Sequence, residues 1–262
     1  MRSYDPLKTV EKTLVVLEEL NRHPARRVSD LKAATGIPAP SLVRILETLV
    51  GIGYVRQMSR MSGYCLTDKV QALAAGYHGL PEVFEGAKQA ADAFTRDMLW
   101  PASIATFDVD AMVVRYSTIP ASPLSHKQST INARLDMLTR GHGRAYLAFC
   151  AEEERRHVYD VLVRSSLYHG TVEELEAEMA PVIASARRLG VARRDPQVET
   201  ETTTLAIPVW VGSRLIATLG TTFFRNSVRD QSPIVQRLLA AGEQIRAWTG
   251  TPRAPATARL QA

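Results

Sequence analysis

The chain has 262 residues, long enough for two domains with a core each, and its apolar (45%) and charged (23%) fractions are those of a globular protein. No stretch reaches the ~20 apolar residues that span a bilayer, residues 1–5 lead into no signal-peptide core, and Cys65 and Cys150 lie far apart without metal-ligand spacing. The expectation is a cytoplasmic protein with reduced thiols, no bound metal, no cofactor and no membrane partner. Charge is unevenly divided: residues 1–79 hold 11 basic and 7 acidic side chains, a net +4 of the chain's formal +5, whereas residues 80–248 hold 19 and 20.

Residues 9–21 place Val10, Leu14, Leu17 and Leu20 on one stripe, which predicts a helix with those four facing a core. In residues 28–35, Val28, Leu31 and Ala34 share a face, Ser29 is placed to cap the helix and Gly36 ends it. Ile37-Pro38-Ala39-Pro40 allows only a tight connection, because each proline fixes its φ and keeps the preceding residue out of the helical region. A further helix then starts near Pro40, with Leu42, Ile45, Leu46, Leu49 and Ile52 inward and Ser41, Val43, Arg44, Glu47 and Thr48 outward. Residues 54–57 and 64–67 read as paired strands around a basic tip. Two helices followed by such a hairpin make a winged helix-turn-helix, and the second helix presents its outward face to a DNA major groove. The basic excess lies in the same part of the chain, as phosphate neutralisation requires.

Residues 68–75 predict a short linker helix, broken by Gly76, Gly79 and Pro81. Residues 82–98 predict a longer helix with Val83, Phe84, Ala87, Ala91 and Phe94 inward. Two strands, 103–107 and 111–116, follow as a hairpin over Asp108-Val109-Asp110, and then an irregular stretch, 119–132, of the length often found at functional sites. Helices are expected at 143–150, 152–163, 172–189 and 232–248, and strands at 191–193, 205–211 and 215–224. The mixture lacks βαβ alternation, so this half reads as α+β with a mainly antiparallel sheet. The last residues, rich in Ala, Pro and Thr, read as a disordered tail. The divisions are a DNA-binding domain over 1–67, a linker over 68–80, a ligand-binding and oligomerisation domain over 81–248 and a tail over 249–262.

This order of parts resembles the IclR family of bacterial transcription regulators. The segments that carry the resemblance are PSLVRILETLVGIGYV and GRAYLAFCAEEERR, the second matching a G-[KR]-A-x-L-A pattern. LWPASIATFDVDAMVVRYSTIPASPLS looks closest to the activators of phenylpropionate and hydroxyphenylpropionate catabolism. The resemblance implies a winged helix-turn-helix, a linker helix and a C-terminal effector-binding domain with a GAF-like sheet. It also implies assembly as dimers or tetramers and a small, aromatic carboxylic acid as effector. The partners are then operator DNA, the acid, further copies of the chain and, at the promoter, RNA polymerase. A two-fold dimer suits operator reading, because one helix contacts too few bases for useful specificity.

Ser41 and Arg44 are the candidates for base contact, with Val43 and Thr48 beside them; an arginine can bind guanine O6 and N7 bidentately. Arg56 and Arg60, on the wing, are candidates for phosphate or minor-groove contact, which positions without specifying. Pro40 departs from the Ser, Thr or Lys of many relatives. For the effector, the resemblance points to Gly141, His142 and Gly143, whose backbone amides would approach a carboxylate, and to Thr204, Gly220 and Thr222 on the strands. Gly220 lacks the hydroxyl that some relatives carry there. Ser122, Ser125 and His126, in the irregular stretch, could line the same pocket. An enzyme is the competing reading, but there is no His-x-x-x-His pair and no G-x-S-x-G elbow, and Tyr146 ends any dinucleotide fingerprint begun by Gly141 and Gly143. A DNA-binding protein without a ligand is the third, and the large second core argues against it.

Overall fold

The computed structural model describes residues 5–23, 25–59, 63–75, 84–125 and 127–250. The chain divides into two units, one built on residues 1–79 and one on residues 80–125 and 131–262. Arg60, His126, Val83 and the expected tail from residue 251 lie outside the described residues, as do the expected linker breakers Gly76, Gly79 and Pro81.

In the first unit, α1 (Lys8–Asn21), α2 (Val28–Thr35) and α3 (Ala39–Gly51) precede the antiparallel strands β1 (Val55–Ser59) and β2 (Gly63–Leu66). The core joins Val16 and Leu20 of α1 to Leu31, Ile37, Leu42, Ile45, Leu46, Leu49 and Val55. Leu42, Ile45, Leu46 and Leu49 are buried as the spacing requires, at roughly 1.5–3 kcal/mol for each large apolar side chain. Ile52 is not: it caps α3 and is half exposed.

The expected core stripe of α1 is also corrected. Leu20 is buried and Leu17 packs partly against the core as expected, but Val10 and Leu14 are 53% and 54% exposed and Val16 and Glu19 are buried instead, because the helix meets α2 and β2 through its last turns. Buried Glu19 is held by Arg22 at 2.9 Å and Arg26 at 3.0 Å. Ser29 does not cap α2. The cap position is Arg27, two residues earlier, and Asp30 reaches back to the Arg27 N–H at 3.1 Å, so the carboxylate does the work expected of the hydroxyl. Gly36 ends α2 in the left-handed region (φ 68°), the usual backbone after a helix. Ala34 is exposed.

Gly63 in the wing has φ 84°, and a Cβ there would stand 2.2 Å from the Arg26 carbonyl oxygen. The close approach exists because Arg26 and Tyr64 exchange backbone hydrogen bonds (2.9 and 2.8 Å), which adds a third strand-like rung to the hairpin. After β2 come a 3-10 turn (Asp68–Val70) and the short α4 (Gln71–Ala74).

The second unit is a six-stranded antiparallel sheet flanked by helices on both faces. Its strands are β3 (Ala102–Asp108), β4 (Ala111–Ser117), β5 (Arg134–Asp136), β6 (Ala192–Arg193), β7 (Thr202–Val211) and β8 (Arg214–Phe224), in spatial order β5-β4-β3-β8-β7-β6. Helices α5 (Glu85–Met98) and α9 (Ser232–Gly250) cover one face through Phe94, Leu238, Leu205, Leu219 and Phe223. Helices α6 (Gly141–Phe149), α7 (Glu152–Arg164) and α8 (Val172–Leu189) cover the other through Leu147, Tyr159, Met179 and Ala206. Strand β5 has no counterpart among the expected elements; three residues are too few to show a period.

Candidate DNA interface and effector site

Helix α3 enters from Pro38, with Pro40 in its first turn, so one amide that would face a phosphate is absent. Its outward face carries Arg44 and Thr48, both exposed, and Ser41 and Val43, both half-buried. The Thr48 hydroxyl donates to the Arg44 carbonyl at 2.8 Å, so it meets a groove as an acceptor. Arg56 lies on β1 opposite Cys65, its Nε 3.2 Å from the Cys65 Sγ, which fixes the stem and leaves the exposed head of the guanidinium directed outward. The base of the wing is locked by residues the sequence reading passed over. Thr67 donates to the Gly53 carbonyl (2.6 Å), and Lys69 donates to the Ile52 carbonyl (2.6 Å) while lying 4.9 Å over the Tyr54 ring. Their only signal in the sequence is the Gly53 turn.

In the second unit the structure gathers Gly141, His142, Gly143, Thr204, Gly220 and Thr222 around the start of α6. A Cβ on Gly141 would meet the Thr204 carbonyl at 3.1 Å, and one on Gly143 would meet Met137 Cα at 2.4 Å, so both glycines let the helix sit directly on its neighbours. Gly220 serves the same end: a Cβ there would lie 2.8 Å from the His142 ring. The Thr204 and Thr222 hydroxyls are 2.9 Å apart on adjacent strands. Ser122 is tied elsewhere, its hydroxyl donating to the Leu99 carbonyl at 2.7 Å, and Ser125, half-buried, lies in the same loop.

His142 is buried, with Nδ1 2.7 Å from the Thr218 hydroxyl and Nε2 2.9 Å from that of Ser103. Burial pushes its pKa down to about 4, so the ring is neutral at pH 7 and has one donor and one acceptor nitrogen. Thr218 is fully buried. The arrangement that strands no buried donor has Thr218 donating to Nδ1 and Nε2–H donating to Ser103, whose own hydrogen is then free for another acceptor. Ser103 and Thr218 were not legible as site residues, since only the register of β3 on β8 brings them to α6.

Beside this row stands a cluster of arginines. Arg140, the N-cap of α6, meets Glu199 Oε1 at 2.8 Å, and Arg194, almost wholly buried, meets Oε2 at 2.6 Å. Arg194 also donates to the Thr202 hydroxyl (2.7 Å) and the Glu199 carbonyl (2.9 Å), and Arg225 donates to the Thr202 carbonyl (3.2 Å). Burial, the largest effect, and the nearby guanidiniums lower the pKa of Arg194. A groove of about 870 Å³ lies toward the hairpin turns at the other end of the sheet, lined in part by Phe107, Tyr146, Phe149, Trp210 and Glu154. The Phe107 and Tyr146 rings stack there at 4.7 Å. Among the described residues, no His/Cys/Asp/Glu cluster of metal-binding form occurs, and no helix is long and apolar enough to cross a membrane.

Residues 9–59 match the IclR helix-turn-helix domain. Beyond this IclR-type domain, more than nine-tenths of the chain is similar in fold to solved IclR structures. The IclR of Thermotoga maritima has a TM-score of 0.62 at 13% identity, covering 94% of this chain and 100% of that one. An IclR family transcriptional regulator from Brucella abortus has a TM-score of 0.57 at 16% identity, with 93% of each chain covered. An IclR homolog from Microbacterium hydrocarbonoxydans, solved with 4-hydroxybenzoate, has a TM-score of 0.61 at 18% identity, covering 92% of this chain and 98% of that one. At these identities the likeness establishes the α+β fold, while the IclR-type domain supports a DNA-binding regulator.

Proposed function

We propose that the protein is an IclR-family transcriptional regulator whose operator binding or promoter activation is switched by a small, aromatic carboxylic acid. The observation that carries the DNA half is the exposed polar face of α3 beside a braced wing, within a segment matching the IclR helix-turn-helix domain. Ser41 and Arg44 read bases, Val43 and Thr48 flank them, and Arg56 and Arg60 hold backbone phosphates. Self-association is supported by Leu7, Val10 and Leu14, which leave a continuous apolar stripe on α1 (75%, 53% and 54% exposed) of the kind a second copy covers.

The effector half is carried by the hydroxyls of Ser103, Thr204 and Thr222 below the first turn of α6. The amides of Gly141, His142 and Gly143 supply partial positive charge for a carboxylate, and His142 positions Ser103. Gly220 makes room for the imidazole. Ser122, its hydroxyl held by the Leu99 carbonyl, is not among the ligand groups in this reading. The 4-hydroxybenzoate bound by the Microbacterium homolog supports an aromatic acid as the ligand class. In a thermal-shift screen with benzoate, 4-hydroxybenzoate and phenylpropionate, at least one should raise Tm, by about 2.7 kcal/mol of added stability at a hundredfold excess over Kd. No shift with any of the three would remove the sensor reading.

Catalysis has one observation in its favour, the Ser103–His142 pair at 2.9 Å. Thr218 occupies the place where a carboxylate would have to stabilise an imidazolium, and a ring held near pKa 4 is a weak base. The pair is suited to positioning a hydroxyl.

A further inference from the structure

We propose that Glu199 is an internal substitute for the effector's carboxylate, occupying an arginine clamp that the ligand takes over. The inference rests on the carboxylate-sensor reading above and assigns the clamp and the displaced group to that site. Each Glu199 carboxylate oxygen sits on a different guanidinium, Oε1 on Arg140 (2.8 Å) and Oε2 on Arg194 (2.6 Å). Two arginines gripping one carboxylate is the arrangement by which proteins bind free carboxylates. The clamp adjoins the expected ligand position: Arg140 caps the helix that begins at Gly141, and the Arg194 N–H donates to the Thr204 carbonyl at 2.9 Å.

Three further features mark Glu199 as the replaceable member. Its side chain is 35% exposed and can leave for water, whereas the Arg194 side chain is 2% exposed and stays. The Arg194 Nε is buried without an acceptor, so the guanidinium can take one more oxygen than it now has. The Glu199 backbone has φ 48°, a conformation that costs a non-glycine residue energy and is relieved if the turn relaxes. Asp195, by contrast, is anchored twice to the α6 side, by its N–H to the Thr139 carbonyl (2.8 Å) and its carboxylate to Arg144 (2.6 Å). Displacement of Glu199 removes the side-chain tie between this turn and the start of α6, while the Glu199 carbonyl stays on Arg194 and the Thr202 N–H, and the Pro196 carbonyl stays on Arg225. Arrival of the acid thus loosens residues 196–201, which lead directly into β7.

The test is calorimetric titration of the full-length protein with benzoate, and with the uncharged benzamide, in wild type, Glu199→Gln and Arg140→Gln. Removing the internal competitor should tighten benzoate binding by about tenfold in Glu199→Gln, since a site already occupied part of the time has its apparent affinity reduced in proportion. Arg140→Gln should weaken it by a similar factor, and benzamide should bind worse than benzoate throughout. Hydrogen exchange at residues 196–201 should rise in ligand-free Glu199→Gln to the level benzoate induces in wild type. Equal or weaker benzoate binding in Glu199→Gln, with wild type binding normally, would overturn this proposal alone. Binding by neither protein would overturn the sensor reading along with it.

Discussion

Replacing His142 by Gln tests the best-defined buried group in the second unit through the pH dependence of stability. In the folded protein the ring pKa is pushed from 6.5 to about 4 by burial, between two hydroxyls that offer no compensating charge. Above pH 6.5 both folded and unfolded states hold a neutral ring and there is no penalty. As pH falls below 6.5 the unfolded chain takes up a proton that the folded ring accepts only near pH 4, so stability is lost across that window. Between pH 7 and 4.5 the loss from this one side chain is roughly 2.5 kcal/mol. All three tryptophans, Trp100, Trp210 and Trp248, belong to the second unit, so their fluorescence during urea unfolding reports this unit. Wild type should lose roughly 2.5 kcal/mol more than His142→Gln between the two pH values, because the carboxylates that also titrate are common to both proteins. At pH 7 the variant should be less stable by about 1–3 kcal/mol, the cost of leaving the buried Thr218 hydroxyl short of a partner. Equal pH losses in the two proteins would refute a neutral, desolvated His142.

Two further outcomes concern DNA and assembly. Arg44→Ala should cost about 1–3 kcal/mol on operator DNA and much less on random sequence, whereas Arg56→Ala should weaken both alike and reduce the salt slope by about one; mobility shifts across a salt series distinguish them, and equal losses would end the base-reading assignment. Leu14→Glu, which alters an exposed position and so spares the core, should shift the assembly toward monomer by light scattering and leave Tm of the second unit unchanged, and an unaltered mass would show that the α1 stripe is not an interface.

Elements whose start and stop signals are local were readable from the sequence. Helix α8 runs from Val172 to Leu189 as expected, because Thr171 and Glu174 form a capping box and Gly190 ends the helix at φ 71°. Where a neighbour chooses between two candidate faces, the pattern gave too little. Helix α1 has apolar residues on more of its surface than it can bury, and only the position of α2 and β2 selects Val16, beside the expected Leu20, over Val10 and Leu14. The candidate DNA residues could be named because they share one helix and one hairpin. The Arg140–Glu199–Arg194 contact could not, since it joins a helix cap to a turn distant in sequence, and the same holds for Ser103 and Thr218 on His142.

The two strands that border the large sheet, β5 and β6, are three and two residues long. Border strands this short offer another strand only a two- or three-residue template, which discourages growth of the sheet edge to edge. Any pairing of copies through the second unit would then have to use side chains on helices or loops. That kind of contact is tuned by single substitutions and can be loosened by a shift of a few ångströms, whereas a shared ladder of backbone bonds would join the copies into one rigid plate.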